Sequence, residues 1–133
     1  MWEYEHSVET TAPAEAVWAL YADVNGWTAW DTGLERIEIL GPFAVGTEIA
    51  MTPEGQEPVR MRITALEENA LFTDETEVDG LTVRFVHRLD RVAAGTRVTH
   101  RVEVSGPGAE HAGPEITSDL PEAMAALVKL AER

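Results

Sequence analysis

The chain has 133 residues and no cysteine, and its 24 acidic and 10 basic residues give a net charge of -14. This length suits a single domain spanning residues 1–133, which can bury a core without disulfides. The negative charge repels phosphate backbones and anionic lipid surfaces, so neither nucleic acid nor a membrane is an expected partner. The sequence shows neither a leader-like N-terminus nor an apolar run of about 20 residues, which favours a cytoplasmic protein.

The first elements are a strand and two short helices. Residues 2–10 alternate between polar and apolar side chains, which predicts a half-buried strand. Its inner face would carry Trp2, Tyr4, His6 and Val8. Pro13, followed by an acidic first turn, predicts a helix over about 13–22. Asn25-Gly26 interrupts this helix, and residues 27–31 are predicted to form a second short helix or a turn.

The middle of the chain predicts six further strands. They are expected at 34–40, 46–52, 58–68, 70–78, 81–92 and 96–105. The breaks between them are short, which favours antiparallel pairing of neighbours in the sequence. After Gly106-Pro107 an apolar stripe predicts a C-terminal helix. Ser118 or Asp119 would cap its main part, and residues 109–117 would form a kinked lead-in around Gly113-Pro114.

One hairpin has a register that the sequence specifies. Asp79-Gly80 predicts a two-residue turn, which places Phe72 opposite His87. Paired residues share a face of the sheet. The apolar face would hold Phe72, Asp74, Thr76, Val83, Phe85, His87 and Leu89, with Arg84 and Arg88 on the other face. In the last strand His100 falls on the same face, either opposite His87 or diagonal to it.

Several segments match the pattern of a known family. They are Ala12-Pro13-Ala14-Glu15-Ala16-Val17-Trp18, Asp23-Val24-Asn25-Gly26-Trp27-Thr28-Ala29-Trp30-Asp31, His87-Arg88-Leu89, Gly95-Thr96-Arg97-Val98-Thr99 and Ser105-Gly106-Pro107. With the order of elements, they make the whole chain resemble the START-like (SRPBCC) superfamily and its polyketide cyclase/dehydrase subfamily. The resemblance implies an α+β helix-grip fold, in which a seven-stranded curved antiparallel sheet wraps around a long C-terminal helix, with two short helices after the first strand. It also implies a deep cavity between sheet and helix.

The resemblance makes the first and last strands neighbours, which places His6 on the same concave face as His87 and His100. These imidazoles could donate hydrogen bonds to a ligand carbonyl or move protons near neutral pH. Asp74, diagonal to His87, could orient an imidazole. The candidate catalytic residues are therefore His87, His100 and Asp74. Alternatively, the histidines bond one another, backbone or water, and Asp74 faces solvent at the sheet rim. No metal-binding motif is present, and no metal or cofactor is predicted.

Apolar and aromatic side chains are the candidate ligand contacts. They are Trp27, Trp30, Met61, Phe72, Phe85, His6 and Met124. Trp27 and Trp30 would share one face of the short helix, either as an aromatic gate at the cavity mouth or as packing against the sheet. Arg60 and Arg62 are expected outside the sheet; an arginine inside would matter, because some family cyclases are thought to use one to bind a polyketide oxygen.

The function predicted from this pattern is binding of a small hydrophobic molecule, aromatic or polyketide-like, by a monomer or homodimer. The alternative is a polyketide cyclase/dehydrase-type enzyme that transfers protons through the histidines and Asp74. A protein-interaction module that uses the cavity rim is a third possibility, although the acidic surface speaks against ribosome binding.

Overall fold

A computed structural model describes residues 1–133. Its strands are β1 (Trp2–Thr10), β2 (Leu34–Ile39), β3 (Glu48–Pro53), β4 (Val59–Glu67), β5 (Leu71–Val78), β6 (Leu81–Val92) and β7 (Gly95–Ser105). Its α-helices are α1 (Ala14–Ala22), α2 (Ala109–Ile116) and α3 (Leu120–Ala131), and a 3₁₀ helix covers Val24–Ala29. No helix of this set has both the length and the apolar character needed to cross a membrane.

All seven strands join one antiparallel sheet. Their order is β1-β7-β6-β5-β4-β3-β2. From β2 to β7 each strand pairs with the next one along the chain, because the short connections allow only a hairpin return. β1 pairs with β7 along its whole length. The predicted α+β fold, the seven-stranded sheet and the contact between first and last strands are confirmed.

The Asp79-Gly80 turn sets the register of β5 and β6 as predicted. Both residues have positive φ angles, 52° and 79°, which a type I′ hairpin turn requires. Phe72 pairs with His87, and the other predicted partners also lie opposite one another. Arg84 and Arg88 are exposed on the convex face. A slip of one residue would have turned both arginines inward.

The core lies between the concave face of the sheet and the helices. Tyr21 of α1 and Met124 and Leu127 of α3 belong to its main cluster and have no exposed surface. A smaller cluster lies at the end of the sheet nearest α2. Its buried members are Leu81, Val83, Val102, Val104 and Ala109. Phe85 and Leu120 contact both clusters, so the boundary between the clusters runs past these two side chains.

The helical segments differ in detail from the prediction. The first helix ends at Ala22, before Asn25-Gly26 as predicted, but the 3₁₀ helix begins at Val24 and contains Asn25-Gly26 instead of starting after it. The C-terminal region forms two helices, and its expected loose lead-in is the regular helix α2. Neither predicted cap forms: Asp119 occupies the N-cap position of α3 without a side-chain capping bond, and Ser118 Oγ donates to the Glu115 carbonyl instead. The predicted C-terminal helix therefore corresponds to α3, with 12 residues.

Candidate functional site

Three histidines form a row across the concave face. His6 pairs with His100, and His100 pairs with His87. Of the two predicted arrangements, His100 therefore lies directly opposite His87 and not diagonal to it. The rings of His87 and His100 are 4.6 Å apart and nearly perpendicular. His87 and His100 are buried, whereas His6, on the edge strand β1, is half-buried. No group of three or more His, Cys, Asp or Glu side chains has a geometry suited to holding a metal ion.

His87 is held as a neutral hydrogen-bond acceptor. Its Nδ1 donates to the Phe72 carbonyl oxygen at 2.9 Å, since a carbonyl can only accept. The ring also stacks on the Phe72 ring at 4.5 Å. Burial lowers the pKa of His87 to about 4, and the bond to Phe72 opposes this shift only in part. At neutral pH the proton therefore resides on Nδ1, and Nε2 keeps a free lone pair.

His100 is paired with a tyrosine that the sequence analysis had not selected. The hydroxyl of Tyr21, on α1, shares a hydrogen bond of 2.8 Å with His100 Nε2. Burial lowers the pKa of His100 well below its usual value, and the nearby His87 and His6 lower it further. Burial also raises the pKa of Tyr21 above its usual range. A tyrosine on the apolar stripe of a helix needs a polar partner for its hydroxyl group. From the sequence, this requirement could have indicated that Tyr21 bonds a polar side chain in the interior.

Asp74 lies in the interior of the protein. Its side chain faces the same side of the sheet as its partner Phe85, and only 1% of the residue is exposed. Burial raises the pKa of Asp74 to about 8, and the charge of Glu75 adds to this effect. Its Oδ1 is buried without a hydrogen-bond partner. The alternative in which Asp74 faces solvent at the rim is wrong.

The suggested contact between Asp74 and an imidazole does not form. The Nδ1 of His87 is already bonded to a backbone carbonyl, and His100 Nε2 is bonded to Tyr21. The structure contains no ion pair between Asp74 and a histidine. Asp74 therefore lies on the same face as the histidine row but is not bonded to it.

Trp27 and Trp30 are packed into the core. Each is only 4% exposed, and their rings are 5.7 Å apart. The Trp27 indole donates to the Tyr21 carbonyl at 3.0 Å, whereas Trp30 Nε1 is buried without a partner. This arrangement matches the packing alternative, because an open gate would expose at least one indole.

The side chains predicted to line a cavity pack against one another. Met61, Phe72 and Met124 are buried on the concave side, and Phe85 is half-buried there. The Tyr21 ring lies 5.9 Å from Phe72 and thus occupies space expected to be open. Two pockets lie at the surface, one at the Asp79-Gly80 turn and one beside Pro13 and Gly95. The prediction of a deep open cavity is therefore not confirmed, because large aromatic rings converge between sheet and helices.

The aromatic interior reaches the surface at one loop. Phe43, between β2 and β3, is half-buried, and its ring lies 5.3 Å from Phe72 and 5.8 Å from Trp18. Two exposed apolar residues flank it, Leu40 at 42% and Val45 at 62%. We define the Phe43 loop as residues 40–47. Through the half-buried Phe43 ring, this loop connects the protein surface to Phe72 in the core.

The basic side chains stay on the outer surface. None of the arginines is buried, nor is the single lysine. Arg60 and Arg62 are exposed as predicted, and Arg60 pairs with Glu48 at 3.0 Å. Arg101 is half-buried on the convex face, where it pairs with Glu3, Glu5 and Glu103. The interior polar groups therefore have no cation beside them.

Comparisons with known proteins agree with this fold. Residues 1–132 match the family model described as "Polyketide cyclase / dehydrase and lipid transport". Protein MLL2253 from Mesorhizobium loti is 14% identical, with a TM-score of 0.82 over 97% of this chain and 96% of that chain. A norcoclaurine synthase from Thalictrum flavum, solved with dopamine and hydroxybenzaldehyde, is 20% identical, with a TM-score of 0.77 over 97% and 85% of the two chains.

A third similar structure is Ara h 8.0201, with 15% identity and a TM-score of 0.77 over 98% of this chain and 97% of that chain. No curated protein matches the sequence. At these identities the structural likenesses establish the fold, and the family model, which spans nearly the whole chain, establishes membership. The predicted resemblance is confirmed, and the chain belongs to the polyketide cyclase/dehydrase and lipid transport family.

Proposed function

We propose that the protein binds a small hydrophobic molecule, aromatic or polyketide-like, between the concave face of the sheet and α3. The observation that carries the proposal is a buried aromatic interior that also holds hydrogen-bonding side chains, Asp74, His87 and His100. A core selected only for stability would avoid them, because each buried polar group is costly when unpaired. That the protein acts in the cytoplasm, as a monomer or homodimer, remains a prediction.

The similar structures support an aromatic ligand. The norcoclaurine synthase of the comparison holds dopamine and hydroxybenzaldehyde, which are both aromatic. In the present chain the rings of Tyr21, Trp27 and Phe72 lie within 5.9 Å of a neighbouring ring and offer stacking faces. Aromatic pairs contribute about 0.5–1.5 kcal/mol beyond area burial. A planar aromatic ligand that separates two of these rings could therefore make up for the lost ring–ring contact by stacking on them.

Ligand entry requires side chains to move, because the interior is filled. We propose that the Phe43 loop withdraws and removes the Phe43 ring from Phe72. The loop is joined to its surroundings by few backbone bonds, among them Gly46 N to the Ile63 carbonyl and Leu40 N to the Glu48 carbonyl. Its flanking apolar residues are already exposed, so opening uncovers little further apolar surface beyond the one ring.

Proton-transfer catalysis is the second candidate function. One observation favours it: at neutral pH Asp74 holds a proton that it could donate, while His87 Nε2 is free to accept one. A base with a pKa of about 4 is, however, too weak to remove a proton from carbon efficiently. Binding is therefore the function that this geometry supports best.

Two measurements test binding. Native mass spectrometry of the purified protein should detect a co-purifying small molecule. A titration with 2-acetonaphthone, a neutral aromatic ketone, should change the fluorescence of the buried tryptophans and saturate at one ligand per chain. Ala123→Phe, on the buried face of α3, should weaken binding, whereas Ala125→Phe, on the exposed face, should not. Equal binding by both variants would place the ligand elsewhere.

A further inference from the structure

The interior offers no positive charge to balance an anionic ligand. The single lysine, Lys129, and all arginines except Arg101 are exposed, and Arg101 is engaged by three glutamates on the convex face. A carboxylate or phosphate bound between sheet and α3 would therefore be desolvated without a countercharge. Burying an unpaired ion is strongly unfavourable, so fatty acids and phosphorylated molecules fit this site poorly.

A cationic ligand is also poorly matched. Asp74 is the only acidic residue that is buried, and it is bordered on neighbouring strands by the apolar partners Ile63 and Phe85. An ammonium group has three N–H donors, and one carboxyl group can satisfy only part of them. The remaining donors would stay buried without acceptors.

The unfilled hydrogen-bonding positions point to an acceptor on the ligand. The buried side-chain polar atoms without a partner are Trp30 Nε1 and Asp74 Oδ1. The indole nitrogen is a donor only, and a protonated carboxyl group has an O–H to donate. Since each buried polar group without a partner destabilises the protein, the indole would gain from an acceptor, and so would Asp74 when its carboxyl group is protonated.

From these contacts we infer that the ligand is an uncharged molecule whose ketone, aldehyde or ester oxygen accepts a hydrogen bond from the side chain of Asp74. The inference rests on the proposed binding function and narrows its ligand class. Phe85, opposite Asp74 on β6, is half-buried and supplies an aromatic face beside the carboxyl group. The acceptor oxygen and the ring system of the ligand therefore have adjacent places to bind.

Four probes of nearly equal shape test the inference. They are 2-acetonaphthone, 2-ethylnaphthalene, 2-naphthoate and 1-(2-naphthyl)ethylamine, titrated into the wild type, Asp74→Asn and Asp74→Leu. The ketone should gain roughly 3- to 10-fold in affinity over the hydrocarbon from one neutral hydrogen bond. Asp74→Leu should abolish that gain, whereas Asp74→Asn should keep it through its amide N–H. The anionic and cationic probes should bind at least roughly 100-fold more weakly than the ketone.

The dependence on pH gives a second test that does not need the leucine variant to fold. The wild type should lose its preference for the ketone as pH rises through about 8, where Asp74 gives up its proton. Asp74→Asn should keep that preference throughout. If the preference for the ketone changed with pH in the same way in the wild type and in Asp74→Asn, Asp74 would not be the donor.

The outcomes separate this inference from the proposed function. Failure of every probe to bind the wild type would contradict the binding function itself. If the ratio of ketone affinity to hydrocarbon affinity were the same in the wild type and in Asp74→Leu, the binding function would stand but the role of Asp74 would be refuted. Tightest binding of the amine, lost in Asp74→Asn, would show that Asp74 acts as a counterion and would also refute the inference.

Discussion

The buried carboxyl group of Asp74 should make the protein less stable as pH rises toward neutrality. The test is Asp74→Asn, which keeps the shape of the side chain and removes its ionisation. Asp74 is raised from an ordinary pKa of 3.8 to about 8 in the folded protein. The native state therefore binds the proton more tightly than the unfolded state does. The resulting stabilisation is complete below about pH 4 and is lost progressively as pH rises through the folded pKa.

The size of the effect follows from the gap between the two pKa values. The two pKa values, 3.8 and about 8, differ by about four units, and about three of these lie below pH 7. Each unit corresponds to about 1.36 kcal/mol, so the change accumulated by pH 7 is about 4 kcal/mol. Asp74 is almost wholly buried, so solvent screens this effect little. Between about pH 4 and about pH 7, the free energy of unfolding of Asp74→Asn should gain up to about 4 kcal/mol relative to the wild type.

Urea unfolding of both proteins at several pH values in that range measures this difference directly. Both proteins have the same histidines, so the contribution of these residues cancels. Asp90→Asn is the matched control, because Asp90 is an exposed aspartate on the neighbouring strand β6. Its curve should run parallel to that of the wild type. If the curve of Asp74→Asn also ran parallel to the wild type, Asp74 would not be a buried acid, and the reasoning about the interior would fail.

Three further variants probe the rest of the site. His87→Phe should protect the protein against acid, because the folded pKa of about 4 makes wild-type stability fall as pH drops below the ordinary histidine value. Urea unfolding near pH 4 should show the free energy of unfolding raised by about 2–3 kcal/mol in the variant. Unchanged acid sensitivity would argue against a buried neutral imidazole. Tyr21→Phe should lower the free energy of unfolding by about 1–3 kcal/mol, since His100 loses its partner, and a smaller change would mean that water replaces the hydroxyl. Phe43→Ala should speed both association and dissociation of 2-acetonaphthone in stopped-flow fluorescence, whereas Leu40→Ala, in the same loop but exposed, should not; equal rates in both variants would place the entrance elsewhere.

The sheet and its register were predictable from the sequence for a physical reason. A two-residue turn with positive φ angles allows one register, and the alternation of side chains then assigns every residue of β5 and β6 to a face. The alternation of side chains also predicts that His87 and His100 share a face, although it does not decide between opposite and diagonal positions. The family pattern then supplied the order of the strands around β1.

The filling of the interior was not predictable in the same way. Whether the Tyr21 ring enters the space beside Phe72 depends on how α1 docks against the sheet, and the helical period of α1 does not specify that docking. The burial of Asp74 likewise depends on neighbours from β4 and β6 and on coverage by the helices. The register placed Asp74 on the inner face, but an aspartate in a strand is more often at the surface, so the sequence left both alternatives open for that side chain.

The position of a bound ligand is the most direct test of binding in the interior. Isotope-filtered nuclear Overhauser spectra of the protein with 2-acetonaphthone report which methyl groups contact the probe. The account predicts contacts to Met124 of α3 and to Ile63 on the concave face, both of which are buried in the main core. Contacts confined to Val78 and Leu81, which line the surface pocket at the hairpin turn, would contradict it.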